Sequence, residues 1–213
     1  NMITAECRIR DCMNQTDTAI YQQLSGGTVG ANQLHGSANA IGGQNNVVKW
    51  RWGLRPDDYH VQGSPEGVKF ALGQNPINED DGSPRSAVVG TTLLTFRPRT
   101  RMGVEEAIRR ALQLGKEYNQ AWEDFNSGKT TVKPHRDLQL EALGEIASGQ
   151  RWIHSHGYRQ DELLMLIRIG KQFGTHLATL QHVLEGYKIA DEMAAANVGG
   201  STFSDWWGFK LES

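Results

Sequence analysis

The fold class this sequence predicts is α/β, a parallel (β/α) barrel of the TIM type, and three observations predict it. Short apolar runs alternate with helical periodicity through the second half of the chain. The links between them are short. Polar residues able to do chemistry stand where the apolar runs stop.

Residues 151–153 form an apolar run that stops at His154. From 160 to 173, Leu163, Leu164, Leu166, Ile167 and Phe173 recur at helical spacing, and Gly174 suits the left-handed residue that closes a helix. Residues 177–181 read as a buried strand ending at His182. A helix over 187–196 follows, closed by Asn197, and then a strand over 198–203. Strand, helix, strand, helix, strand with short links predicts a parallel sheet with right-handed crossovers.

Upstream, Asp137 can cap a helix carrying Leu138, Leu140, Leu143 and Ile146, closed by Gly149. A longer helix is predicted over 102–125, packed through Leu112, Leu114 and Trp122. Residues 75–99 are dense in Asn, Asp, Gly, Ser and Pro, so about 75–130 reads as an irregular and helical insertion within one domain spanning 1–213. Asp17 can cap a helix running through Leu24, ended by Gly26 and Gly27. A strand over 28–34 ends at His35, a loop covers 36–44, and 47–52 and 68–72 are further strands.

Such an alternation builds an open doubly wound sheet or a closed barrel. The polar residues favour the barrel. His35, His154 and His182 each fall at a strand end and Lys69 falls within a strand. In a barrel the C-terminal strand ends converge on one mouth, so residues distant in sequence meet there.

The bulk properties narrow the function classes. The 213 residues carry 22 Lys+Arg against 24 Asp+Glu, a formal net charge of -2, which offers no bulk attraction to nucleic acid or an anionic membrane. No stretch approaches the roughly 18 apolar residues of a spanning helix. The opening residues lack a basic region followed by an apolar run, so no signal peptide is expected, and the compartment stays open. Cys7 and Cys12 are the only cysteines and do not form a CxxC pair; they read as ordinary thiols.

A divalent metal takes neutral imidazoles and anionic oxygens at about 2.0–2.2 Å. Histidines at the ends of adjacent parallel strands can supply that geometry because the sheet fixes their spacing. His154 and His182 occupy such places on consecutive strands, and His154 lies within a His-x-His. A hydrogen-bonded, partly buried histidine is the bland reading of either one alone.

Five segments carry a resemblance: His154-Ser155-His156-Gly157-Tyr158-Arg159, Leu180-Gln181-His182-Val183-Leu184-Glu185-Gly186-Tyr187-Lys188, Ser201-Thr202-Phe203-Ser204-Asp205-Trp206-Trp207, residues 35–44 from His35-Gly36-Ser37 to Gly42-Gly43-Gln44, and Val68-Lys69-Phe70-Ala71-Leu72-Gly73-Gln74-Asn75. In order and spacing the sequence resembles the amidohydrolase superfamily, in a branch close to imidazolonepropionase-like and prolidase-like metal-dependent hydrolases. The resemblance implies a (β/α)8 barrel holding one or two divalent metals, most often zinc. It implies His154 as the fifth-strand ligand, His182 as the sixth-strand ligand and Lys69, carboxylated, as the fourth-strand bridge. The family's first-strand His-x-His and eighth-strand Asp have no counterpart, so the sequence is expected to cover about strands 2 to 7.

By that resemblance the complete protein hydrolyses amide-like C–N bonds in a cyclic amide or peptide-like substrate through a metal-activated water. His156, Tyr187 and Lys188 are candidates to bind the developing oxyanion, with His156 the catalytic candidate. His35, Tyr187, Lys188 and Asp205 are the substrate-binding candidates. This chain alone is expected to be inactive, and its unpaired sheet edges point to self-association as a homo-oligomer. The competing readings are a non-catalytic barrel module without a complete metal centre and a deaminase of the same superfamily. Deaminases of this fold often carry a Glu soon after the fifth-strand His, whereas Ser155, His156 and Gly157 stand here.

Overall fold

The structure, a computed structural model, describes residues 2–77, 98 and 100–203. It is a mixed α/β fold in which helices cover one face of a largely parallel sheet. The sheet has five strands in the order β2 (Ile41–Gln44), β4 (Gly67–Ala71), β5 (Trp152–His156), β6 (Leu177–Gln181) and β7 (Gly199–Ser201). Neighbours from β4 to β7 run parallel, and β2 runs antiparallel on the outer edge of β4. Among the described residues β2 and β7 are the two edges, so the sheet they form is open.

Strand alternation divides the two faces. Val68, Phe70 and Ile153 are almost fully buried and join the main core with α2 (Arg101–Asn126), α3 (Leu138–Ala147) and α4 (Gln160–Phe173). The opposite face receives Lys69, His154 and His156. In register, Lys69 lies beside His154 and Ala71 beside His156. On β6 the partners are Thr179 for His154 and Gln181 for His156.

Local signals end the helices where expected. Asp137 accepts from Gln139 N at 2.9 Å and Leu140 N at 3.0 Å, satisfying two of the free amides at the start of α3. Asp137→Ala is therefore expected to cost about 1 kcal/mol of stability, read as a lower urea midpoint with an unchanged slope; an unchanged midpoint would show the cap contributes nothing. Gly174 ends α4 at φ 73°, and Asn197 follows α5 (Ala190–Ala195) at φ 53°, both left-handed. Asp17 caps α1 (Thr18–Ser25) by accepting from Ala19 N.

Several expectations are corrected. The strand before His35, β1 (Gly30–Gln33), does not run parallel in the main sheet. It pairs antiparallel with β3 (Asn46–Lys49) in a separate two-stranded sheet, beside a small core of Ile20, Val48 and Tyr59. The loop read over 36–44 ends in a strand, because Ile41 is fully buried and pairs with Phe70. The strand read as stopping at His154 runs on to His156. The long helix packs through Val104, Ile108, Ala111, Leu112, Gly115 and Tyr118, whereas Leu114 and Trp122 stay half-buried. Its apolar residues share the main core, and α3 also stands between β4 and β5. Residues 78–97 and Arg99, inside the expected insertion, lie outside the described residues.

Candidate functional site

The polar sheet face begins with Lys69 at the centre of β4. Gly67 and Ala71 flank it on the same face and leave room, while Val68 and Phe70 anchor the strand from behind. The ammonium is 3% exposed and donates to Ser37 Oγ at 2.8 Å. Burial pushes its pKa from 10.5 down to about 8, since taking the charge out of water favours the neutral amine. The loop that supplies Ser37 also brings His35, whose ring lies against Gly42 and Gly43 of β2. A methyl group on Gly42 would stand 2.7 Å from His35 Nδ1, so glycine is what allows this approach. His35 Nδ1 lies 2.9 Å from Gly36 O, as a donor in the Nδ1–H tautomer.

His154 is the register neighbour of Lys69. Burial, with a smaller contribution from repulsion by His176, holds its imidazole below the usual histidine range, so the neutral ring is favoured. Its ring leans over Gly67, where the side chain of Asn45 also lies.

One turn of the pleat further on, His156 is 2% exposed. Its ring packs edge-on against Tyr158, with centroids 4.7 Å apart, and against His182 at 5.0 Å. His182 also meets Phe203 at 4.5 Å and Tyr158 at 5.8 Å. Directly after β6, His182 holds φ 64°, a left-handed conformation that costs an ordinary side chain of order 1 kcal/mol or more. The packing around the ring holds the backbone there.

The structure thus gathers His156 with His182, and Lys69 with Ser37, on a face that also carries His154. Tyr187 is 77% exposed on the short helical turn after β6. Lys188 beside it donates to Glu185 at 2.7 Å, and its ammonium lies 5.8 Å from the Tyr187 ring. Asp205 lies outside the described residues. Tyr158 follows His156 by two residues, yet nothing local in the sequence marks it as packing against both His156 and His182. Asn45 was missed altogether, and the only signal was two adjacent polar residues following Gly42-Gly43-Gln44.

A metal ion needs at least three such donors. Among the described residues no three His, Cys, Asp or Glu side chains cluster, so they do not by themselves fit a metal ion. His156 and His182 form a pair.

The fold has a counterpart among solved structures. The chain matches the amidohydrolase from Thermotoga maritima MSB8 with a TM-score of 0.84 and 28% identity, covering 100% of this chain and 52% of that one. Together with the sequence match below, the similarity supports an amidohydrolase-family assignment. Amidohydrolase tasK of Hapsidospora irregularis is 27% identical over 202 residues, which is 89% of this chain and 20% of that protein. The chain therefore spans about half the solved amidohydrolase and a fifth of the curated one. No family profile matches it. No described helix is long and apolar enough to cross a membrane.

Proposed function

We propose that this chain is part of the catalytic barrel of a metal-dependent hydrolase acting on amide-like C–N bonds, in a small cyclic amide or a peptide-like molecule. The observation that carries the reading is the pairing of Lys69 with His154 on one polar face of a parallel sheet, with His156 and His182 at its C-terminal end. Ligands gather at that end of parallel strands. The amidohydrolase likeness supports the reaction class.

In this reading His154, His182 and Lys69 are the chain's contribution to a zinc site of one or two ions. The remaining donors belong to parts of the complete protein beyond the described residues. With its pKa near 8, a useful fraction of Lys69 is neutral amine at mildly alkaline pH, the form that adds carbon dioxide to become a carbamate. His156 packs against Tyr158 and His182, and in this reading it would donate a hydrogen bond to an oxygen that gains charge. His35 with Ser37 closes one side, while Tyr187, Lys188 and Asp205 are the proposed contacts to substrate from the rim.

The test is zinc titration with an amide-substrate screen, on this chain and on a form extended at both ends. The extended form is expected to bind zinc stoichiometrically and turn over, and this chain to do neither. Tight zinc binding with turnover in the short chain would show the site is misplaced. An extended form without metal would favour a binding module.

A further inference from the structure

Arg51-Trp52-Gly53-Leu54 is a tight turn shortly after β3, closed where the Leu54 N–H donates to Arg51 O at 3.1 Å. Gly53 holds φ 86° in it, a conformation open to a residue without a side chain. The turn rises from the small core of Ile20, Val48 and Tyr59, where Trp50 packs edge-on against Tyr59 at 6.1 Å. Its base is therefore fixed, while its tip meets water: Trp52 is 45% exposed and Leu54 46%. Tyr21 of α1 is exposed too, and meets the Trp52 ring edge-on at 5.8 Å. Val29, whose carbonyl accepts from Trp50 N at 2.9 Å, is exposed next to the segment that leads into the turn.

A cluster of large apolar side chains left in water marks a contact surface more often than a lone one does. Here the cluster comes with charge. Lys49, Arg51 and Arg55 are all exposed, and no acidic residue stands between the first and the last of them. Arg55 alone of the three has an acidic partner among the described residues, Asp58 at 3.5 Å, and that pair is open to solvent and weak. Two guanidinium groups thus bracket an apolar tip, with an ammonium behind it. The chain's formal net charge is -2, so any attraction to an anionic surface is local to this turn.

We propose that the turn docks the protein on an anionic lipid surface. Trp52 and Leu54 enter the boundary between headgroups and acyl chains, and Lys49, Arg51 and Arg55 meet the lipid phosphates. Aromatic rings settle at headgroup level, aliphatic side chains just beneath and basic side chains above. A nucleic acid would use the same cations and stack a base on Trp52, but it offers no apolar phase for Leu54 and Val29. The contact is peripheral, since no described helix is long and apolar enough to cross a membrane.

The experiment is co-sedimentation with vesicles of phosphatidylcholine mixed with phosphatidylglycerol, and with vesicles of phosphatidylcholine alone. It is run on this chain and on the form extended at both ends. Both proteins are expected to sediment with the mixed vesicles only, and added salt should release them. Each basic residue near such a surface contributes about fivefold in affinity, so Arg51→Gln with Arg55→Gln should weaken binding about 25-fold. Trp52→Ser with Leu54→Ser should weaken it about tenfold or more. All four side chains are exposed, so urea midpoints should stay near the native one. Trp52→Phe should still bind, but lose most of the tryptophan quenching caused by lipids brominated on their acyl chains. Failure to bind the mixed vesicles, equal binding to neutral ones, or binding that survives both double variants overturns the proposal. Should a double variant fail to fold, unchanged quenching in Trp52→Phe overturns it instead. An extended form that stays in solution also overturns it, by showing that the rest of the protein covers the turn. Binding of single-stranded RNA without vesicle binding, lost in the same variants, would assign the turn to nucleic acid.

Discussion

Lys69→Met is expected to make the fold more stable at neutral pH while abolishing any turnover the complete protein has. Lys69 is 3% exposed, its side-chain partner among the described residues is the neutral Ser37 hydroxyl, and its pKa has fallen from 10.5 to about 8. A fall of that size corresponds to burial opposing the charge by on the order of 3 kcal/mol. Methionine fills the same length without a charge. Ser37 loses its donor, so a net gain of about 1–2 kcal/mol is expected, and each kcal/mol raises Tm by about 2–4 °C in a chain of this size. The pH dependence has a definite sign. Native Lys69 gives up its proton near pH 8 and the unfolded residue near 10.5, so between these values the unfolded chain holds more protons and native stability rises with pH. The advantage of methionine is therefore greatest below pH 8 and gone by pH 10.5. Urea melts of both proteins at pH 7, 9 and 10.5 measure it, and a methionine variant less stable at pH 7 would contradict it. A buried cation that costs stability is the signature of a residue retained for chemistry.

Gly115→Ala is expected to destabilise the fold by about 2 kcal/mol, although alanine is the better helix former. In the middle of α2 the exchange would by propensity alone gain about 1 kcal/mol. The methyl group, however, would stand 2.5 Å from Leu143 O, 2.6 Å from Leu143 C and 2.9 Å from Gly144 N, all backbone atoms of α3. Backbone in a packed helix does not yield as a side chain does, and overpacking costs about 1–3 kcal/mol or more. The steric term wins. Gly144 makes the reciprocal contact: Asn119 lies against it and donates to its carbonyl at 2.9 Å. Thermal and urea melts of Gly115→Ala decide the matter, and a midpoint at or above the native one would show that the helices can part freely. Because α2 and α3 cover the back of β4 and β5, loosening them would also slacken the strands that carry Lys69 and His154.

Legibility in the sequence followed the range of the interaction concerned. Asp17 and Asp137 as caps, and Gly174 and Asn197 as left-handed closures, were readable because each acts within a few residues of itself. The strand holding Lys69 was readable from its apolar alternation. Misreadings came where a distant partner decided. Residues 28–34 have strand character in any context, but only β3 makes β1 antiparallel and keeps it out of the main sheet. Ile41-Gly42-Gly43-Gln44 looks like a loop by composition, and it is a strand because Phe70 and Val68 pair with it and the His35 ring fills the space above its glycines.

The candidate site divides in the same way. By itself the sequence determined that His154, His156, His182 and Lys69 stand within or just after strands of a parallel α/β unit, since apolar periodicity reports which residues face a core. Only the tertiary structure decided which of them meet. It set His156 against His182 and Tyr158, placed Lys69 on Ser37, and set Asn45 and His154 over the same glycine, Gly67. Periodicity records that a residue is buried and on which side. The choice of neighbour depends on strand order, register and the absence of a side chain at one glycine, and none of these is written within a few residues of the groups they bring together.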